Sequence, residues 1–454
     1  MLQTLKNILS NPTSLREQAM NASLWTLFSS SIRHPLRLAS NLVLVRLLAP
    51  EAFGLMATVT VLQAGLNLFS DVGISQSVMR SEKGEDPRFL RIVWTVQILR
   101  GVVLSAIMIL IALLVGAFGA RWAGPDTVYA DPRLPDLLLA SVIVILSRGF
   151  ESAANLLARR RMKLGRYTTI RTLCQLGGIL TMIGMAFLIE SVWALMAGSI
   201  MSGLLTLIVS HTLMPGPRMR IVWDSAEAGE LWSFGKWLIL SSIGGFFAFQ
   251  GDRLVLGTLI DKELLGIYTI AVVWVRVGFE ALRSVGVAVF IPSFAKIMRD
   301  RPGQIQRVLN RSFRAFAGLS GVIFLGLFLL GGWLIDTLYP AIYAPAKDLV
   351  PLLALRVLYL PFLVIQQFLI AQGLSRDTAF MQLTRGLVTL SATYFGYVHF
   401  GLEAAVAGFA LAPVSSALMM IAHREVRGRM AAWQLLLVAL FPFAICLGYV
   451  RFIA

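Results

Sequence analysis

Apolar stretches long enough to cross a lipid bilayer recur along almost the whole chain, and this pattern constrains the fold more than any other feature. A helix needs about 20 residues to span the roughly 30 Å hydrocarbon layer. With 57% hydrophobic and only 14% charged residues, the chain has more apolar side chains than a soluble core can hold. The sequence therefore predicts thirteen membrane-spanning helices, at residues 21–45, 53–77, 92–119, 135–158, 170–189, 191–213, 234–258, 266–292, 313–335, 349–370, 383–400, 402–422 and 432–452. Pro292, Pro361 and Pro413 lie in or at the ends of these segments, where breaks permit bending.

The net charge of +16 follows the predicted topology. If the N-terminus is cytoplasmic, most of the 40 Lys and Arg residues fall in cytoplasmic loops, as the positive-inside rule requires. The charge therefore indicates membrane orientation and contact with membrane lipids, and no nucleic-acid partner is expected. Cys174 and Cys446 lie in apolar segments without metal-ligand spacing, and neither GxxxxGK[ST] nor GxGxxG occurs. We therefore expect neither a bound metal nor a cofactor.

A short internal repeat indicates two similar halves. The stretch LVLVRLLAPEAFGLMA at 42–57 aligns with LVLGTLIDKELLGIYT at 254–269 with six identities, among them Glu51 with Glu263 and Gly54 with Gly266. Six predicted helices separate the two stretches, so the repeat is parallel. The sequence thus predicts an all-α polytopic membrane protein with two parallel six-helix lobes, 1–213 and 214–422, around a central cavity, and an extra C-terminal helix in 423–454.

Charged residues inside the predicted helices are the candidates for function, because each costs about 2.5–3.5 kcal/mol at a helix centre. Arg33 and Arg37 share one face with His34 alongside, and Arg276, Glu280 and Arg283 form a stripe along the eighth segment. Arginine suits an anionic cargo because its planar fork matches phosphate oxygens. The candidate substrate-binding residues are Arg33, His34, Arg37, Arg148, Arg276 and Arg283, and the candidate ion-coupling carboxylates are Asp71, Glu151, Asp252 and Glu280.

Some of these charges have a simpler interpretation. Residues near a segment end can extend to the interface, and this is the expectation for Arg100, Asp252, Arg253, Arg283 and Arg356. Arg148 and Glu151, three residues apart, can also neutralise each other.

The stretch RLLAPEAFGLMATVTVLQAGLNLFSDVGISQSVMR at 46–80 resembles the opening motif of bacterial polysaccharide-transport proteins, the oligosaccharide flippases of the multidrug/oligosaccharidyl-lipid/polysaccharide superfamily. DRLVLGTLIDKELLGIYTIA at 252–271 and ARRRMKLGRY at 158–167 are similar to two further regions of that family. The resemblance implies a bacterial inner-membrane transporter that moves polyprenyl-pyrophosphate-linked oligosaccharides by alternating access for lipopolysaccharide, capsule or exopolysaccharide synthesis. It also implies that Arg33, Arg37 and Arg276 hold the pyrophosphate, and that partners include polysaccharide polymerase or export machinery.

Two other functions remain open at this stage. A drug or metabolite exporter of the same superfamily would favour an acidic, aromatic pocket for cations over an arginine-rich one. A membrane-embedded glycosyltransferase would need acidic or metal-binding residues near the cytoplasmic interface. The acidic loop residues Asp126, Asp131 and Asp136 lie on the predicted outer side, so the enzyme hypothesis is the weaker of the two.

Overall fold

A computed structural model describes residues 25, 32–33, 35–69, 74–161 and 163–453, and within these residues it contains helices and no β-strand. Residues 35–44 are helical. The helices that follow, up to the middle of the chain, are α1 Pro50–Phe69, α2 Ile74–Arg80, α3 Pro87–Trp122, α4 Arg133–Phe150, α5 Ala154–Arg160, α6 Leu164–Ile189 and α7 Val192–Thr212. Those of the second half are α8 Ser225–Leu259, α9 Lys262–Asp300, α10 Ile305–Leu338, α11 Ala346–Ala354, α12 Pro361–Ala371, α13 Ser375–Phe400, α14 Leu402–Leu411, α15 Pro413–Ala422, α16 Arg424–Arg427 and α17 Ala432–Ile453.

The chain forms two compact units. The first unit ends at Ile239 and the second begins at Leu240, within α8, while the short segment Asp126–Val128 belongs to the second unit. The lobe limits 1–213 and 214–422 stay a prediction, because the boundary between two compact units need not coincide with the boundary between two sequence repeats.

Each predicted segment from residue 53 onward overlaps one helix or a broken pair of helices, whereas much of the first segment lies outside the described residues. Within the described part, eight helices are long and apolar enough to cross a membrane, or up to nine if the bent pair α4 and α5 forms one span. The C-terminal segment is among them, as Ala432–Tyr449. The chain is therefore an all-α, multi-span membrane protein.

Three predicted segments are broken at positions that the described residues include. Two of the breaks fall at prolines, since α12 begins at Pro361 and α15 begins at Pro413. Proline lacks an N–H and its ring clashes with the carbonyl of the preceding turn, so a helix cannot run through it without distortion. The third break separates α4 from α5 with a bend of 56° and has no proline in it. In contrast, α9 continues through Pro292.

Both copies of the sequence repeat mark the start of a helix. Glu51 lies in the first turn of α1, and Glu263 lies in the first turn of α9. A carboxylate near a helix N-terminus is favourable because the helix dipole is positive there. In addition, Glu51 accepts a hydrogen bond from Arg133 at 3.0 Å, and Arg133 also binds the buried carboxylate of Asp131 at 2.7 Å. Asp131 of the acidic loop cluster is thus part of a structural ion-pair network.

The core of the second unit is the broken helix formed by α11, the 3-10 turn Leu355–Tyr359 and α12. Residues 346–371 are 89% buried within the protein over their most apolar window, far more than any other candidate span. A phenylalanine-rich cluster surrounds α12, with Phe294, Phe313 and Phe368 among its buried members. This element therefore places its side chains inside the unit and not in lipid.

In the first unit, α3 and α4 pack closely where Gly101 faces Gly149. We expect alanine to destabilise the protein at Gly101 but to stabilise it at Gly184. A Cβ added at Gly101 of α3 would lie 2.9 Å from the Cα of Gly149 in α4, whereas one at Gly184 of α6 would meet nothing within 4 Å. Alanine raises helix propensity by about 1 kcal/mol over glycine. Gly184→Ala should therefore raise the melting temperature in detergent, and Gly101→Ala should lower it, because overpacking costs about 1–3 kcal/mol. Equal shifts in the two variants would contradict this packing.

Candidate functional site

Three arginines surround one aromatic ring inside the second unit. The guanidinium carbons of Arg385, Arg356 and Arg283 lie 4.9, 5.1 and 5.5 Å from the centre of the Phe249 ring. The four residues come from four elements, since Phe249 is on α8, Arg283 on α9, Arg356 in the 3-10 turn and Arg385 on α13. An aromatic face attracts a cation through its quadrupole, by about 0.5–2 kcal/mol per contact. We call these four residues the arginine cluster.

Arg356 is the most deeply placed member of the arginine cluster. The residue is 6% exposed, and its Nη2 donates to the carbonyl oxygen of Ala248 at 2.7 Å. Its guanidinium also lies 4.1 Å from the ring centre of Phe409 and 5.8 Å from that of Phe279. Aromatic rings and a carbonyl thus take the place that a carboxylate usually occupies beside a buried arginine.

The prediction that Arg356, Asp252 and Arg253 extend to the membrane interface is wrong. All three residues are buried, at 6%, 1% and 8% exposure. Distance from a segment end does not tell which face of a helix a residue occupies, and here the broken helix and α8 carry these side chains towards the protein interior. Arg283 differs from these three residues, because its side chain is 42% exposed and the structure does not contradict the prediction for it.

Asp252 and Arg253 find different partners. Asp252 accepts a hydrogen bond of 2.5 Å from the hydroxyl of Tyr268 on α9, and Tyr268 is itself fully buried. Arg253 donates to Gln250 on its own helix at 3.2 Å. Within the described residues, Oδ1 of Asp252 and Nε of Arg253 have no hydrogen-bond partner. The two neighbours therefore do not neutralise each other.

The predicted stripe on α9 is present in part. Arg283 and Glu280 form an ion pair of 3.1 Å, one helical turn apart. Arg276, one turn earlier, is exposed on the surface of the second unit, and Glu280 is half-buried. Arg283 thus joins the stripe to the arginine cluster.

A cavity of about 240 Å³ lies beside the arginine cluster, within the second unit. Its polar lining consists of arginine, amide and hydroxyl groups, and its remaining lining is apolar. Among the lining residues are Phe249, Arg283, Tyr359, Gln366, Gln367, Gln382, Arg385 and Ser416. No carboxylate of the described residues lines it, so the cavity suits an anion and not a cation.

The first unit holds the remaining candidates. Arg33 is half-buried and Arg37 is exposed, and both lie in or beside the helical segment that precedes α1. Asp71 and His34 lie outside the described residues. Arg148 is exposed and Glu151 is half-buried at the break between α4 and α5.

Arg148 and Glu151 form no direct ion pair, because the helix ends between them. α4 stops at Phe150, and Glu151 has the extended backbone angles φ −51° and ψ 138°. Helical spacing therefore no longer applies, and Glu151 instead accepts a hydrogen bond from Asn155 at 3.2 Å.

Side chains of neighbouring helices satisfy the carbonyl groups that this break frees. Gln97 Nε2 on α3 lies within hydrogen-bond distance of the carbonyl oxygens of Arg148, Gly149 and Glu151, at 3.0, 3.2 and 3.0 Å. Trp94 donates to the carbonyl of Phe150 at 3.2 Å, and His211 Nε2 lies 2.8 Å from the same oxygen. Since helix ends leave their last carbonyls without helical partners, these contacts hold the bend in place.

Two arginines at the C-terminal end of α5 contact α2 and the loop that follows it. Arg160 donates to the carbonyl groups of Val78 and Ser81, and Arg161 binds Glu85 at 2.8 Å. The hydrogen bond from Arg161 lowers the pKa of Glu85. These two arginines therefore hold the loop after α2 and are not available to a substrate in this arrangement.

The sequence analysis missed Arg385 and Phe249. Arg385 lies within the predicted segment 383–400 but was not singled out among the charged residues of the segments, although that position was itself a signal. Phe249 had no signal, because one phenylalanine among many apolar residues is not distinguishable by pattern.

The sequence and the fold have known counterparts. Residues 43–348 match the profile of a family described as polysaccharide biosynthesis protein. The chain is 24% identical over 288 residues to the lipopolysaccharide biosynthesis protein WzxC of Escherichia coli (strain K12). This alignment covers 63% of the chain and little more than half, 56%, of that relative. It is 23% identical over 377 residues to the succinoglycan biosynthesis transport protein ExoT of Rhizobium meliloti (strain 1021), covering 82% of this chain and 73% of the relative.

Among solved structures, the lipid II flippase MurJ in an inward closed conformation has a TM-score of 0.68 at 12% identity. The superposition covers 94% of this chain and 92% of that one. At this identity the likeness shows a shared two-lobed helical fold.

If Gln97 holds the bend between α4 and α5, its removal should destabilise the first unit. Gln97→Leu leaves partly buried carbonyl groups without this donor, and we expect a loss of about 0.5–1.5 kcal/mol, seen as a lower melting temperature of the purified protein. Gln434→Leu, at an exposed position of α17, is the matched control and should leave the melting temperature nearly unchanged. A Gln97→Leu protein as stable as this control would show that the bend does not depend on Gln97.

Proposed function

This chain belongs to the polysaccharide biosynthesis protein family, and we propose that it is a flippase that moves polyprenyl-pyrophosphate-linked oligosaccharides from the cytoplasmic to the outer leaflet of a bacterial inner membrane. The relatives are named for the synthesis of lipopolysaccharide and succinoglycan, both of which are surface polysaccharides. The observation from the structure that carries the proposal is the arginine cluster with its cavity, because a membrane-embedded site with this charge suits an anionic lipid-linked cargo.

The energetics favour arginine over lysine at such a site. A pyrophosphate group in a low-dielectric site needs a charge partner and several hydrogen-bond donors at once. Each guanidinium supplies five donors in a fixed plane and keeps its charge when buried. In this proposal Arg33, Arg37, Arg148, Arg276 and Arg283 contact the anionic groups of the cargo as the lobes alternate, and His34 contributes a further donor beside Arg33.

The driving force in this proposal is the membrane potential or an ion gradient. An interior-negative potential favours outward movement of each negative charge by about 2.3 kcal/mol per 100 mV. The carboxylates proposed to carry a coupling proton or cation are Asp71, Glu151, Asp252 and Glu280. Asp252 has the strongest physical support among them, because it is buried and one of its oxygens has no partner among the described residues.

Two further parts of the proposal are the orientation, which rests on the distribution of Lys and Arg, and the partners, which rest on the family. The N-terminus is cytoplasmic, which places the basic loops beside the anionic lipids of the inner leaflet. The chain acts without catalysing a chemical step and hands its cargo to polysaccharide polymerase or export machinery on the outer side.

Transport of a defined cargo tests the proposal. The full-length protein is reconstituted into proteoliposomes with a short polyprenyl-pyrophosphate oligosaccharide, and its movement between leaflets is measured with an imposed potential, proton gradient or sodium gradient. We expect movement well above that in protein-free liposomes, and about a tenfold or greater loss in Arg33→Ala, Arg37→Ala and Arg276→Ala, because each substitution removes a charge-assisted contact worth about 1.5–3 kcal/mol.

Arg311→Gln, an exposed basic residue of α10, serves as the control and should transport like the wild type. Absence of movement by the wild type under all three gradients would contradict the flippase function. Efflux of cationic dyes by that same preparation would then support the exporter of the same superfamily.

A further inference from the structure

Two lining residues of the cavity in the second unit have no individual role in the proposed function. Arg385 and Gln382, one turn apart on α13, both line it. Nε of Arg385 and Oε1 of Gln382 are buried and have no hydrogen-bond partner among the described residues. Buried polar atoms are nearly always hydrogen-bonded in folded proteins, so a donor and an acceptor left open beside one cavity indicate a ligand that completes them.

Only one of the three arginines around Phe249 has a direct carboxylate partner among the described residues, although Asp252 attracts Arg356 from a longer distance. Glu280 pairs with Arg283, but within the described part of the chain no carboxylate lies within ion-pairing distance of Arg356 or Arg385. Three like charges around one ring repel one another, and the attraction of the aromatic faces offsets only part of that repulsion. A protein keeps an arrangement that lowers its own stability mainly where a ligand needs it.

The size of the cavity limits what it holds. At about 240 Å³ it is smaller than the roughly 300–1,000 Å³ of pockets that enclose a drug-sized molecule. It accommodates one charged group with a small neighbouring part, and not a whole oligosaccharide. The apolar part of its lining, which includes Phe362, Leu363 and Met420, suits a group that is attached to a lipid chain.

We propose that this cavity is a phosphate-binding subsite within the second unit, in which Arg283 and Arg385 bind the phosphate oxygens and Gln382 accepts a hydrogen bond from the group attached to the phosphate. Arg356 does not line the cavity and adds positive potential only. The phosphate comes either from a pyrophosphate-linked cargo or from a phospholipid headgroup. The subsite thus rests on the proposed function only for the identity of the molecule that carries the phosphate.

Binding of inorganic pyrophosphate to the full-length protein in detergent tests the subsite. We expect the wild type to bind pyrophosphate, and Arg385→Gln and Arg283→Gln to bind it about tenfold more weakly or worse, as the loss of a charge-assisted hydrogen bond predicts. Arg385→Lys keeps the charge but loses the planar fork and should fall between. Arg311→Gln, on the surface of α10, is the matched control and should bind like the wild type.

A second readout separates a binding role from a structural role of Arg385. Removing a like charge from the arginine cluster relieves repulsion, so ligand-free Arg385→Gln should melt at the same temperature as the wild type or higher, while its stabilisation by pyrophosphate is lost. A purely structural arginine would show the reverse, a lower melting temperature with unchanged binding. Arg283→Gln tests the same cavity at a side chain that is 42% exposed, where folding depends less on the residue.

Competition identifies the source of the phosphate. Displacement of pyrophosphate by a polyprenyl-pyrophosphate oligosaccharide, but not by phosphatidylglycerol nanodiscs, assigns the subsite to the cargo, and the opposite result assigns it to a membrane lipid. A wild type that does not bind pyrophosphate, or whose binding is unchanged in both glutamine variants, overturns the subsite. Because binding is measured without transport, that outcome is distinguishable from failure of the flippase function.

Discussion

The backbone of a chain in hydrocarbon must satisfy its hydrogen bonds within the protein, and this constraint determines where the helices can break. At two of the breaks, neighbouring side chains or a proline reduce the number of backbone groups left without a partner. At the bend between α4 and α5, the side chains of Gln97, Trp94 and His211 provide the donors. Around the 3-10 turn before α12, the proline at 361 removes a donor that would otherwise be left open, and Arg356 turns inward to the carbonyl of Ala248.

The same constraint explains why the polar groups of the second unit are concentrated around one helix. Residues 346–371 are surrounded by protein on nearly all sides, so a charge on this element is shielded from lipid. Four aromatic or carbonyl groups surround Arg356 in place of one carboxylate. The guanidinium of Arg356 is therefore held inside the unit without a direct ion pair to an internal acid.

Helix positions could be predicted from the sequence because span length and hydropathy are local properties, and the family could be recognised because its motifs are local as well. The breaks at Pro361 and Pro413 follow from the same local rule, but the break after Phe150 does not, since it depends on side chains from α3 and α7. The arginine cluster could not be predicted from the sequence for a related reason. Arg356 and Arg385 acquire their role from a phenylalanine on a distant helix, and neither hydropathy nor spacing reports which helices meet.

One ring shared by three cations also shapes how such a site can change during evolution. Substitutions at Arg283, Arg356 and Arg385 are not independent, because each alters the environment of the ring that holds the other two. A lineage that loses one arginine relieves like-charge repulsion at once. Its recovery must reintroduce a charge against that repulsion, so losing an arginine from this cluster is easier than regaining it.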